Sequence, residues 1–267
     1  MSQDVFGNSP KKSLTPEDFE PCSPLAEPAP IRESVLGELL VCEGLSKQYG
    51  GVIALNNVSF TIPQGKIIGL LGPNGSGKTT FIKIAAGLLR ADRGCVTVDG
   101  MPIGVSTKAK VAYLPERNSI PEHFTVGDAV GFYEDFFSDF DRTRAEKMLE
   151  SLGIDKKNRI KALSKGTKEK VQLIMVMSRR ARLYLLDEPI SGVDPATRDF
   201  IINTVIRNFE PSSSVLISTH LISDIEKIMD GFIFLKNGKI SCLGTPDGLM
   251  SSLGKTVDQY FREVFRC

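Results

Sequence analysis

The sequence predicts an α/β fold built around a phosphate-binding loop, on three observations. An apolar run of strand length, residues 67–71, leads into Gly72-Pro73-Asn74-Gly75-Ser76-Gly77-Lys78-Thr79-Thr80, and Phe81, Ile84, Ala85 and Leu88 then recur at helical spacing. A second apolar run, residues 183–186, ends on two carboxylates, Asp187 and Glu188. From Ser164 onward, helical and strand patterns alternate to the end of the chain.

Taken in order, residues 1–37 hold six of the fifteen prolines and few periodic apolar residues, which predicts a flexible Pro-rich tail. Strand patterns follow at 39–42, around Tyr49, at 52–55 and at 58–62, the last alternating apolar with polar. Pro63-Gln64-Gly65 turns the chain into the strand before the loop. Beyond the first helix, residues 95–99 and 110–114 read as strands, the second leading to Pro115-Glu116. Thr125 is placed to cap a helix with Val130 and Phe136-Phe137 on its apolar side. Another helix carries Ala145, Met148, Leu149 and Leu152 and stops at Gly153. Residues 120–165 therefore read as a helical segment inserted between α/β halves. A helix with Val171, Ile174 and Met175 precedes the 183–186 strand. Later elements are a helix at 195–208, a strand at 215–218, a helix at 221–229, short strands at 231–235 and 239–243, and a closing helix at 256–265. Residues 38–250 are expected to form one α/β domain and 251–267 a short helical extension.

Composition narrows the function. The net charge of +1 generates no long-range field for nucleic acid or an anionic membrane surface. Five scattered cysteines lack any metal-binding spacing and fit reduced thiols. No apolar run approaches the ~20 residues a membrane span needs. These features lead to the expectation of a soluble, intracellular chain.

The loop has the Gly-x-x-x-x-Gly-Lys-Thr pattern in its strand–loop–helix context. Glycines at 72, 75 and 77 let successive N–H groups converge on phosphate oxygens, and the helix adds the positive end of its dipole. Lys78 can reach the β- and γ-phosphates and the Thr79 hydroxyl can ligate Mg²⁺. Asp187 would hold Mg²⁺, directly or through water, and Glu188 would polarise the attacking water. The ligand expected is a nucleoside triphosphate.

The order of motifs resembles the nucleotide-binding domain of ATP-binding cassette (ABC) transporters over residues ~39–248. Leu163-Ser164-Lys165-Gly166-Thr167 resembles the signature Leu-Ser-Gly-Gly-Gln, Ser191-Gly192-Val193-Asp194 the D-loop, and Ser218-Thr219-His220 the switch histidine. The resemblance implies a P-loop NTPase of ABC type: a RecA-like core sheet, an antiparallel β subdomain and an inserted α-helical subdomain. It implies ATP and Mg²⁺ as cofactors, with Glu188 and His220 catalytic and Tyr49 stacked on adenine. Asn74, Gly75, Ser76, Gly77, Lys78, Thr79 and Thr80 would line the phosphates, with Thr79, Glu116 and Asp187 at the metal. Ser164, Gly166 and Asp194 would belong to the nucleotide interface of a head-to-tail dimer. The partners implied are a second ATPase subunit, identical or paralogous, and a separate transmembrane permease, most similar to exporter systems. The chain would then sit on the inner face of the membrane.

Three positions depart from the family pattern: Glu116 stands for Gln, Lys165 for Gly and Thr167 for Gln. A soluble ABC-type ATPase acting on nucleic acid or ribosomes is the alternative. The single cassette, the lack of a long coiled-coil insert and the near-neutral charge argue against it. A P-loop kinase leaves the signature and the histidine unexplained.

Overall fold

A computed structural model describes residues 37–265. The tail expected at residues 1–37 lies, but for Gly37, outside the described residues. β1 (Glu38–Tyr49) and β2 (Val52–Pro63) form a long antiparallel hairpin. The sequence pattern divides these strands into shorter runs. Irregularities between Cys42 and Lys47 carry the pairing through the breaks, so each strand is continuous over 12 residues. β4 (Arg93–Val98) and β5 (Met101–Pro102) complete a four-stranded sheet in the order β2-β1-β4-β5.

The second sheet is built from β3 (Ile67–Leu71), β6 (Val111–Leu114), β7 (Leu183–Asp187), β8 (Ser214–Thr219), β9 (Gly231–Lys236) and β10 (Lys239–Gly244). Its order is β10-β9-β3-β8-β7-β6, parallel except for the β9–β10 hairpin. Strands covered on both faces read as continuous apolar runs, and β3, β7 and β8 are buried throughout. The two faces separate with period two. Ile68, Leu70, Leu183, Leu185 and Leu216 pack toward α1 (Lys78–Ala85) and the antiparallel sheet, whereas Ile67, Leu71, Leu186, Val215 and Ile217 pack toward the opposite layer. That opposite layer includes α6 (Pro195–Asn208) and α9 (Val257–Val264). α2 (Val105–Lys108), β5 and α8 (Pro246–Leu253) have no counterpart in the sequence reading.

α3 (Val126–Phe136) starts at Thr125, whose hydroxyl accepts from the Asp128 amide while the Asp128 carboxylate accepts from the Thr125 amide. Val130 is buried as expected, but Phe136 points out at 69% exposure and Phe137 is the C-cap. α4 (Arg142–Ser151) packs Ala145 and Leu149 into the same small core, which extends past residue 165 onto α5 (Lys165–Met177). There α5 is shared: Val171, Ile174 and Met175 face the helical core, and Leu173, Val176 and Met177 face the sheet.

The helix expected at 221–229 is shorter, because α7 (Ile222–Ile225) stops early. Asp230 is pinned to the edge of β3, its amide donating to the Ile67 carbonyl at 2.8 Å and its carboxylate accepting from the Ile67 amide at 2.9 Å. Residues 226–229 must therefore turn to deliver β9 into the sheet.

Arg179 ties the helical layer to the sheet. Its guanidinium pairs with Asp139 at 2.9 Å, donates to the Val111 and Ala109 carbonyls, and lies 4.0 Å from the Phe137 ring centroid. Removing a buried partner of a paired charge strands the other groups without ligands. Arg179→Met is expected to lower the unfolding free energy by about 3 kcal/mol, measured by urea denaturation. A loss below about 0.5 kcal/mol would show that this joint carries no stability.

Candidate functional site

Parallel register brings three strand ends to one edge: Leu71 lies beside Thr219, Leu70 beside Ser218, and Ser218 beside Asp187. This is where α/β sheets place their ligands. The loop between β3 and α1 is folded tightly against both sheets. A Cβ on Gly72 would collide with the Leu235 carbonyl, and one on Gly77 with the Ala54 carbonyl. Gly77 also sits at φ 109°, where a side chain is strained. No side chain caps α1, so its first N–H groups face the cleft.

Lys78 is buried. Its Nζ donates to the Gly72 carbonyl at 2.8 Å and the Pro73 carbonyl at 3.2 Å, and lies 3.2 Å from Glu188 Oε1. Asp187 Oδ1 accepts from the Thr79 hydroxyl at 3.0 Å and the Ser218 hydroxyl at 2.7 Å. Asp187 Oδ2 is buried with no hydrogen-bond partner. Burial pushes the Asp187 carboxyl above the ordinary range; the charges of Glu188 and Glu116 add to this and the two hydroxyls oppose it.

Glu188 occupies the left-handed region at φ 49°, a strain of about 1–3 kcal/mol for a side chain of this size. Its amide donates to both the backbone and the hydroxyl oxygen of Ser218 at 3.0 Å, which holds the turn. His220 Nδ1 lies 3.0 Å from Glu188 Oε2.

Lys78, Thr79, Glu188 and His220 open on a cleft of about 410 Å³ that also includes Asn74, Gly75, Ser76, Gly77, Thr80, Glu116 and Ser191, with Asp187 buried behind Thr79. At its mouth stand Tyr49, Val52 and Ile53, all exposed, with Lys47 Nζ 5.6 Å from the Tyr49 ring centroid. That is a flat apolar platform suited to a base. A hard cation fits deeper in. The unpartnered Asp187 oxygen, the Thr79 hydroxyl and the nearby Glu116 are oxygen donors of the kind Mg²⁺ takes. Among the described residues no group of three or more His, Cys, Asp or Glu could hold a metal alone.

Residues 55–191 match the family described as ABC transporter. The chain belongs to this family. It is 33% identical over 200 residues to the ABC transporter ATP-binding protein YtrB of Bacillus subtilis, covering 74% of this chain and 68% of that one. It is 30% identical over 224 residues to the linearmycin resistance ATP-binding protein LnrL of the same species, covering 81% and 72%. The fold superposes with a TM-score of 0.77 on a solved ATP-binding subunit of an ABC transporter, at 26% identity over 85% of this chain and all of that one. The chain is thus an ABC transporter ATP-binding subunit and an ATPase.

Four residues expected at the nucleotide do not line this cassette's own cleft: Gly72, whose carbonyl holds Lys78, and Ser164, Gly166 and Asp194. Ser164 caps α5, accepting from the Thr167 amide at 3.2 Å. Gly166, the second residue of α5, packs so close to α6 that a Cβ there would come 3.0 Å from the Thr197 hydroxyl and 3.2 Å from Asp194 Oδ2. Asp194 caps α6, accepting from the Thr197 amide at 2.9 Å and hydroxyl at 2.7 Å.

The sequence reading assigned no role to Ser218, which anchors both acids, or to Gln172. The Gln172 side chain donates to the Pro115 carbonyl and accepts from the Ser119 amide, each at 3.3 Å, so it sets the loop that carries Glu116. Gln172 left a signal, as a lone polar residue in the run 171–177 that is otherwise apolar and buried. Ser218 left none of that kind, since Thr219 beside it and Ser214 in the same strand are polar too. Ser218→Ala removes a donor to Asp187 and an acceptor of the Glu188 amide. The expected result is a loss of 1–3 kcal/mol in stability, read by thermal unfolding, and a lower kcat for ATP hydrolysis. An unchanged kcat would mean that Glu188 is held without it.

Proposed function

We propose that this chain drives a separate membrane permease, in the export direction, by closing with a second copy or a paralogue around Mg·ATP. The observation that carries this reading is the split of the site. Lys78, Thr79, Glu188 and His220 line the cleft, with Asp187 held behind Thr79, while Ser164 and Gly166 stand outside it at the start of α5. A nucleotide held by the loop alone keeps its γ-phosphate open on one side, and the same α5 start from another subunit supplies the donors and the dipole to cover it.

In this reading Tyr49 stacks on adenine and Lys78 exchanges its carbonyl partners for phosphate oxygens. Thr79 and Asp187, with Glu116 as a further oxygen, would hold Mg²⁺, which when bound would supply neutralising charge to the phosphates. Glu188 orients water for in-line attack at the γ-phosphorus and takes its proton. The bond from that phosphorus to the bridging oxygen breaks, and ADP leaves. His220, through its contact with Glu188, keeps that carboxylate aimed and reaches the γ-phosphate with its other nitrogen.

The permease side rests on two supports. Among the described residues no helix is long and apolar enough to cross a membrane. Phe132 and Phe136 are exposed and stacked at 4.4 Å beside a small groove that includes Ser119 and Phe124, next to the Glu116 loop. The export direction rests on likeness to a protein named for linearmycin resistance and on the sequence resemblance. The inner face of the cell membrane is the location this assembly implies.

Glu188→Gln protein is expected to lose hydrolysis by at least about a hundredfold and to run as a dimer in Mg·ATP but a monomer without nucleotide, read by light scattering on a sizing column. A monomer at saturating Mg·ATP would refute the sandwich. The same ATP-loaded variant is expected to capture a polytopic membrane protein from native membranes. Adding Phe136→Asp should abolish capture while ATP-driven dimerisation persists. Recovery of ribosomal or DNA-bound proteins instead would favour a soluble ABC ATPase.

A further inference from the structure

The signature segment carries a lysine whose ammonium is engaged inside its own subunit. Lys165 Nζ donates to the Gly192 carbonyl at 3.1 Å, with Glu169 Oε1 3.9 Å away one helical turn along α5. Gly192 lies at φ 70°, and a Cβ there would come 2.9 Å from Lys165 Nζ, so the ammonium sits directly over this residue. Gly192 follows Ser191, which lines the cleft and whose amide donates to the Glu188 carbonyl at 3.2 Å. A chain of contacts therefore runs from the N-terminus of α5 through Lys165, Gly192 and Ser191 to Glu188.

We propose that Lys165 is a positioning residue: it clamps the loop at residues 191–194 to the start of α5, so that the face offered to one nucleotide and the acid serving the other move together. This rests on the head-to-tail reading above. The clamp is built to open. Lys165 is 71% exposed, and one solvated hydrogen bond to a carbonyl is readily exchanged. Because its partner is a backbone carbonyl, the contact fixes the loop's path rather than any side chain. Glu169 limits where the ammonium rests when released, since the pair is spaced i,i+4 on one helix. A glycine at position 165 offers no such link.

The test compares Lys165→Met, which keeps the stem and removes the ammonium, with Lys165→Arg, which keeps a donor. In nucleotide-free protein, exchange of the Ser191 amide is expected to quicken roughly threefold in the Met variant and return toward the native rate in the Arg variant. ATP hydrolysis should show kcat reduced by roughly threefold to tenfold in the Met variant, KM within about twofold, and recovery in the Arg variant. Unchanged Ser191 exchange would overturn the clamp. Quickened exchange with unchanged kcat would overturn its positioning role. A raised KM at constant kcat, deepening with salt, would show that Lys165 instead touches the nucleotide directly and would also overturn it. Dimerisation of Glu188→Gln protein in Mg·ATP is measured in parallel. Its absence would remove the head-to-tail reading, while amide exchange and kcat would still decide the contact.

Discussion

The structure turns on one crowded spot, where a lysine and two carboxylates are withdrawn from water at the carboxyl edge of the parallel sheet. Lys78, Asp187 and Glu188 are all buried, and the Lys78–Glu188 contact at 3.2 Å neutralises part of this charge directly. Buried pairs of this kind seldom stabilise a fold once desolvation is counted. The surrounding framework offsets the cost. Loop carbonyls take the Lys78 protons, two hydroxyls hold Asp187, and Ser218 fixes the Glu188 turn. The continuous apolar burial of β3, β7 and β8 is what makes so costly a site affordable.

The charges also define what the proposed ligand must look like. Glycine-loop amides and the open end of α1 attract an anion, whereas Asp187, Glu188 and Glu116 outnumber Lys78 and attract a cation. A free phosphate matches only half of this field, and a bare divalent ion the other half. Mg·ATP matches both, and the unpartnered Asp187 oxygen lies where the two halves meet. On this reading, Glu116 at a position where the family commonly has glutamine strengthens the cationic half.

How much of this was legible depended on whether a residue's role is local. The phosphate loop, the strand-end acids and the Thr125 cap are set by neighbours in sequence and lie where their patterns put them. But α1 stops at Ala85, because Gly87 turns left-handed at φ 70°, and leaves Leu88, expected on its apolar side, exposed beyond its end. The hairpin β1–β2 was cut into shorter runs because its irregularities interrupt the period-two pattern without ending the pairing. The helix at 222–225 was drawn too long because its end is dictated by Asp230 and Ile67, 163 positions apart in the chain. Ser218 and Gln172 went unassigned for the same reason. Their partners lie on other elements, and only the fold brings them within reach.

α5 links these strands of the argument. Its N-terminus carries Ser164 and Lys165, its middle holds the Glu116 loop through Gln172, and its two faces belong to two different cores. A rigid helix of 13 residues transmits displacement along about 20 Å with little loss, whereas a loop of that length would not. On the proposed reading, a push at its first turn would reach Glu188, through Gly192 and Ser191, and the Glu116 loop, through Gln172. Nucleotide at one end and a membrane partner at the other would then read a single element. The chemistry at the phosphate and the movement of a permease need no longer wire between them than this helix.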